Sequence, residues 1–330
     1  MAVTANTNET YDVTTIREDL AEAMASITPT ETLLMSTIGS RNVENTYFEW
    51  SEVDLAATGA NRQIEGDVGL SNTAPTNAVR KGGYTQISAK VVEVSSTNQA
   101  VNGVANAQTV AKQVAYKLSE LKRDMEAMML DNVAASAGAS GTARQTAGLP
   151  AYLTSNVSRG TGGANGTTSG TGEAGSVNAG ATDGTLRPLT EALLKSVIAD
   201  CWNAGATPSI VMLGSAQKQK CSTFTGNATR FKEAEDSKLN AAIDVYISDF
   251  GELQILPNRH MRVRTVSSVD HTPDVLVLDP SYAEVAYLQT AKQEALAKTG
   301  LSERRLISCE YGLQVTSQKA HGIVADCNAS

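Results

Sequence analysis

This chain of 330 residues predicts an α+β fold, and three features carry the prediction. One long amphipathic helix lies early in the second hundred residues. Strand-type runs lie on both sides of it, most densely in the C-terminal half. Helices and strands mix without the alternating rhythm of a parallel α/β sheet, and no internal repeat of the length that builds solenoids or propellers is present.

Taken in order, Thr15 and Glu18 form a capping box, and Ile16, Leu20, Met24 and Ile27 stripe a short helix that Pro29 stops. A strand is expected from Thr46 to Val53, with Phe48 and Trp50 on one side and Tyr84 to Val94 as its antiparallel partner. Between them, Ala56 to Gly83 is built of Gly, Asn, Thr, Ala and isolated charges. So long a structureless connection is uncommon inside a compact domain. It makes sense as a projecting loop that packs on a neighbouring subunit, with Arg62 and Glu65 pairing there; a plain surface loop is the alternative.

The long helix follows. Val104, Ala107, Ala111, Val114, Leu118, Leu121, Met125 and Met128 recur in strict 3-4 spacing. The opposite face carries Lys112, Lys117, Glu120, Lys122, Arg123, Asp124, Glu126 and Asp131, with Lys122 and Glu126 spaced for an i,i+4 pair. No Gly or Pro falls between Val104 and Ala137. A helix over about 104–135 is expected, within a run that allows a rod of roughly 50 Å at about 1.5 Å per residue. The 3.5-residue period also suits a coiled-coil dimer, but the strand signals before it favour a spine inside a mixed domain.

Beyond the spine, Ala134–Gly141 and Thr161–Gly184 are low in complexity and read as surface loops, with Leu149, Tyr152 and Leu153 tacking the chain down between them. A second amphipathic helix spans about Leu189 to Ala204, with Leu189, Leu193, Val197 and Cys201 on one face and Gly205 as the residue that ends it. Strands are expected at Ser209–Leu213, at Val245–Ile247 and Leu253–Leu256 around the turn Asp249–Glu252, and at Val275–Leu278 and Ala283–Leu288 around Asp279-Pro280-Ser281. Ile307, Cys309, Tyr311, Leu313 and Val315 alternate as a long half-buried strand.

Composition narrows the function. Apolar residues make up 41%, charged residues 19%, and the net charge is −8. That balance argues against a protein that binds nucleic acid by neutralising phosphates. No stretch approaches the roughly 20 apolar residues of a membrane span. The first thirty residues have neither a basic nor an apolar signal region, so no signal peptide is expected. Cys201, Cys221, Cys309 and Cys327 are scattered and read as reduced thiols.

Motifs that imitate chemistry fail on context. Gly170, Gly172 and Gly175 match the dinucleotide pattern GxGxxG, but no strand enters it and no amphipathic helix leaves it. His260, His271 and His321 are far apart, and Cys327 six residues after His321 is the nearest approach to a metal pair. Ser215 follows a strand without a nucleophile elbow around it. No catalytic, cofactor or metal site is expected, and the protein is not expected to be an enzyme.

The order of elements resembles the major capsid proteins of tailed bacteriophages, which have the Hong Kong 97-type fold. Segments similar to one branch of that family are Ile27-Thr28-Pro29-Thr30-Glu31-Thr32, Phe48-Glu49-Trp50, Asn61-Arg62-Gln63-Ile64-Glu65-Gly66 and Glu120-Leu121-Lys122-Arg123-Asp124-Met125-Glu126. Asp249-Phe250-Gly251, Leu278-Asp279-Pro280, Glu310-Tyr311-Gly312-Leu313 and Lys319-Ala320-His321-Gly322 continue the likeness.

The resemblance implies an N-terminal arm at 1–44, an extended loop at 45–100, and a peripheral domain at 101–188 plus 284–330 with a low-complexity insertion at 160–184. The axial domain would be 189–283. It further implies hexamers and pentamers in an icosahedral prohead and virion shell around double-stranded DNA bound without sequence specificity, assembled in the cytoplasm of a host bacterium and away from membranes. Some relatives carry a cleaved scaffolding segment before the arm. Here the arm begins near Met1, so a separate scaffolding protein is expected, with a portal protein and, as in some relatives, a decoration protein. Trp50, Arg62 and Glu65 are the expected assembly contacts. Some relatives crosslink Lys to Asn; Lys81 and Lys90 lie in or beside the loop, but no Asn partner or activating acid is marked, so that chemistry is not carried over. The competing readings are an encapsulin-like compartment shell, a nucleotide-binding enzyme built on Gly170–Gly175, and a filamentous protein.

Overall fold

Backbone pairing sorts most strands into two sheets that share one spine helix. The computed structural model describes residues 28–60, 62, 65–66, 75–101, 109–168, 175–224, 245–261, 264–266, 269–271, 274–298 and 300–328. The elements are α1 (Leu33–Thr37), β1 (Gly39–Asn42), β2 (Tyr47–Glu52), β3 (Val79–Tyr84), β4 (Gln86–Ser95), α2 (Ser96–Ala100), α3 (Val110–Leu130) and α4 (Leu149–Tyr152). There follow β5 (Val157–Ser158), β6 (Thr167–Thr168), β7 (Val177–Ala179), α5 (Glu191–Asn203), β8 (Ile210–Leu213), α6 (Ser215–Cys221), β9 (Val245–Ser248) and β10 (Gly251–Pro257). The chain closes with β11 (Arg264–Val266), β12 (Val269–His271), β13 (Val275–Leu278), β14 (Ala283–Ala295), β15 (Ser302–Val315) and β16 (Gly322–Val324).

One sheet has the order β1-β14-β15-β4, the other β5-β16-β13-β8-β10-β9. The helix α3 lays Leu121, Met125, Met129 and Leu130 into a core shared with Val92, Val94, Ile307, Cys309 and Tyr311 of the first sheet. The second sheet is covered on both sides. Ile210, Met212, Leu276 and Leu278 face the spine's core, whereas Val211, Leu213, Val275 and Val277 pack with Leu194, Val197, Ile198 and Cys201 of α5. Strand alternation accounts for the division, since successive side chains point to opposite faces. Thr190 caps α5 by accepting from Leu193 N, and Gly205 ends it at φ +94, as its position after the apolar stripe predicts. The strand β16, from the segment after residue 284, joins the second sheet beside β13.

Four expectations need correction. The spine stops at Leu130 and does not continue to about 135; its described part is 21 residues, about 31 Å at 1.5 Å per residue. Nothing in the local sequence breaks it. The chain after Leu130 is held by other partners: Gly148 N donates to Val133 O at 3.1 Å and Ala135 N to Val177 O at 2.9 Å. Gly148 comes so close to Asp131 that a Cβ there would overlap the Asp131 carbonyl oxygen. The spine's expected start at Val104 and Ala107, and the capping-box helix before Pro29, lie outside the described residues.

The second correction concerns β2. It pairs with β3, Tyr47 opposite Tyr84 and Glu52 opposite Val79, while Gln86–Ser95 pairs with β15 from Ser302 to Tyr311. The third concerns the insertion. Its described flanks are built into the protomer: Val177 is fully buried, β6 pairs with β7, and the Asn132 side chain both donates to Ala181 O (2.7 Å) and accepts from Ala181 N (2.9 Å). A composition poor in apolar area still contributes one core side chain and several backbone bonds. The fourth is Glu126, placed by the heptad pattern on the solvent face with Lys122. It is fully buried.

Candidate assembly surfaces

A two-stranded hairpin leaves the body of the protomer at β2 and β3. Alternation along β2 turns Phe48 and Trp50 inward, where both are buried; their rings stack at 6.0 Å, and Trp50 meets Tyr152 at 6.4 Å. Tyr152, on α4, donates from its hydroxyl to Leu313 O at 3.1 Å, so the hairpin's aromatic root rests on a side chain already tied to β15. Gly312 makes room for this root: a Cβ there would lie 2.6 Å from Phe48 Cε1. Charges hold the edges. Glu49 pairs with Arg80, Glu52 with Lys81 at 2.5 Å, and Glu52 also accepts from Ser317 Oγ at 2.7 Å. Lys319 reaches Asp54 at 2.6 Å.

Beyond this root every described residue from Val53 to Ala78 is exposed, with Leu55 at 84%. The expected contact residues therefore separate. Arg62 and Glu65 lie on the exposed loop, whereas Trp50, 8% exposed, packs inside its own protomer. Flanks of the insertion come to the same place, since Thr168 and Gly175 line a small cleft with Trp50 and Lys81. Sequence reasoning missed this meeting because residues so far apart in the chain carry no local signal of contact.

A second charged surface runs where α3 crosses β4. Lys90 Nζ lies 2.7 Å from Asp124 and 3.2 Å from Glu120, and Lys117 bonds Glu120 at 2.8 Å. The bond to Asp124 raises the Lys90 pKa above its ordinary value, and Lys117 lowers that of Glu120. Deeper in, Glu310 accepts from Thr85 Oγ1 at 2.7 Å and pairs with Arg144 at 2.5 Å, joining β15, the turn after β3 and the loop after the spine.

Reactive groups are kept inert. All four cysteines are buried free thiols. Desolvation pushes Cys201 and Cys327 up to about 12, and Cys221 and Cys309 to about 11, far from the thiolate that nucleophilic or metal chemistry needs. His321 is buried, accepts weakly from Asp279 N at 3.4 Å, and is pulled down to about 4 by the same desolvation. His260 donates from Nε2 to Glu31 O at 2.8 Å. No group of three or more His, Cys, Asp or Glu side chains suited to a metal occurs among the described residues. Gly170 to Ala174 of the GxGxxG match lie outside them, and the flanks are the short strands β6 and β7, not a strand leading into a helix.

Comparison with known proteins bears on these surfaces. The family profile described as SU10 major capsid protein matches residues 3–328. The major capsid protein of Escherichia phage Phieco32 is 28% identical over 148 residues, which is 44% of this chain and 39% of that relative, so the match spans less than half of the relative's length. Among solved structures, one from Mycobacterium phage Bobi superposes with a TM-score of 0.61 at 10% identity, covering 97% of this chain and 98% of that one. The SrpI encapsulin of Synechococcus elongatus gives 0.55 at 10% identity, covering 96% and 94%. At such identities the likeness shows the fold, which is the Hong Kong 97-type capsid fold.

Proposed function

The chain belongs to the SU10 major capsid protein family, a structural coat protein of the virion and not an enzyme, and from this premise we propose how it assembles. Copies form hexamers and pentamers of a closed icosahedral shell around double-stranded DNA, and the loop between β2 and β3 is the strap that joins one copy to the next. The observation that carries the reading is the contrast between the hairpin's root and its end. The root is pinned by Phe48, Trp50 and the Glu52–Lys81 pair, while Val53 and Leu55 beyond it are 53% and 84% exposed. A rigid lever with an uncovered end suits capture by a neighbour. Arg62 and Glu65 are the residues proposed to pair there. A portal protein completes the assembly.

Replacing residues 56–76 with a short Gly/Ser linker tests the strap. The expected result is a soluble, folded protomer that forms no closed shells in negative-stain micrographs, and reversal of charge at Arg62 or Glu65 lowers shell yield in the same assay. Normal shells from the shortened protein mean the loop is only surface. The encapsulin fold is shared, so contents separate the two shell types: nucleic acid in purified particles fits a virion, a co-purifying enzyme fits a compartment.

A further inference from the structure

The helix α1 begins at Thr32, whose side chain makes no capping bond. Its first free amides are served from elsewhere. Leu34 N donates to Glu126 Oε1 at 2.6 Å and Met35 N to Glu126 Oε2 at 3.0 Å. Those are the amides that a helix's own N-cap residue ordinarily satisfies, so a carboxylate from near the C-terminal end of the spine acts as the cap of a helix 92 residues earlier. The same Oε1 accepts from Asn258 Nδ2 at 2.8 Å, just after β10.

Asn258 is itself fixed. Its backbone N donates to Leu213 O at 2.9 Å, and its Oδ1 accepts from His260 N at 2.8 Å. His260 then reaches back from Nε2 to Glu31 O at 2.8 Å. The segment Glu31–Met35 is thus gripped on two sides, by the spine through Glu126 and by the Asn258–His260 turn of the second sheet. Immediately afterwards β1 runs along β14 in parallel register from Gly39 to Asn42.

We propose that Glu126 is a positioning residue that sets where the segment Glu31–Met35 sits, tying it at once to the spine and to the turn after β10. Both oxygens of the carboxylate are occupied by donors and the Glu126 side chain is fully buried, so water at the carboxylate does not readily replace a lost bond. Residues 31–35 are therefore not displaced without loosening α1 from the spine and the turn together. That coupling gives a shell protein one joint at which the segment leading into β1 is tied both to the spine and to the turn after β10.

The chemistry of the clasp makes the test selective. Gln in place of Glu126 is nearly isosteric but offers one acceptor oxygen and one NH2. Whichever way the amide turns, an N–H faces a backbone N–H, and one cap bond is lost with little change in volume. In hydrogen–deuterium exchange on the full-length protomer, E126Q is expected to exchange about tenfold or more faster in peptides covering residues 33–38, with β4 and β15 unchanged. Shells assembled from it should be fewer or irregular. The exchange measurement needs no shell, so it stands or falls separately from the coat-protein reading, whose own test is the loop replacement.

If E126Q is recovered only as insoluble material, the double variant N258A/H260A decides. It removes the axial half of the grip and leaves the carboxylate in place; faster exchange at 33–38 supports the clasp. Wild-type exchange over 33–38 in E126Q, or in the double variant where E126Q does not fold, overturns it.

Discussion

Leu121 lies deep under the spine, 1% exposed in a core formed with Val92, Ile307 and Tyr311. Replacing it with Ala removes about three buried carbons, each worth about 0.8 kcal/mol of transfer free energy. A cavity between a helix and a long-stranded sheet has little room to collapse, which puts the total at about 3–4 kcal/mol, within the range measured for buried Leu. The unfolding entropy of about 2.1 cal/mol/K per residue gives about 0.7 kcal/mol/K for a chain of 330 residues. The melting midpoint should therefore fall by about 5 °C. The measurement belongs on the unassembled protomer, by calorimetry or far-ultraviolet dichroism, because contacts in a shell add stability of their own. Leu118, only partly buried, should cost roughly half as much when cut to Ala. Asp at 121 buries a charge with no partner, and the protein is then expected in inclusion bodies. Wild-type melting of Leu121→Ala would refute the packing of the spine against the β4–β15 sheet.

Three further perturbations probe other joints. Gly312→Ala drives a Cβ against Phe48 and should destabilise by about 1–3 kcal/mol, with a shifted Trp50 emission as the hairpin root loosens; unchanged emission and melting mean the ring has room. Val177→Ala should cost about 2 kcal/mol, whereas replacing only residues 170–174 by Gly-Ser should leave the melting curve unchanged; equal tolerance of both means the insertion is surface throughout. His321 is held neutral, with its folded value near 4 and its ordinary value 6.5. Its contribution is complete above pH 6.5 and is lost as the pH falls from there towards about 4, on the order of 3 kcal/mol in all. Denaturant titrations of wild type and His321→Asn across that window check this: the slope of stability against pH should be shallower in the variant.

The elements themselves are written locally. A 3-4 spacing names a helix and the face it buries, and Leu121 and Met125 are where that rule puts them. The alternation from Ile307 to Val315 names a strand and its inward face, and Gly205 names the end of α5. The polar loop between β2 and β3 was equally visible, because it lacks the apolar area that would fold it onto its own chain. Their order was enough to resemble the capsid family.

Long-range choices needed three dimensions. Alternation says which face of β2 is apolar but not which strand lies beside it: composition puts residues 79–83 in the loop and favours 84–94 as the partner, whereas the register is with Val79–Tyr84. Nothing in the sequence marks Asp131 as the end of the spine, since the competing backbone partners Gly148 and Val177 are brought there only by the fold. Glu126 makes the same point most sharply. A heptad pattern ranks positions by polarity and assigns a carboxylate to water, whereas the amides of Leu34 and Met35 create a buried place for one. Sequence by itself determined what each segment becomes, because propensity and periodicity act over neighbouring residues. Only the tertiary structure decided which segments meet, because that choice is made by hydrogen bonds and packing between residues far apart in the chain.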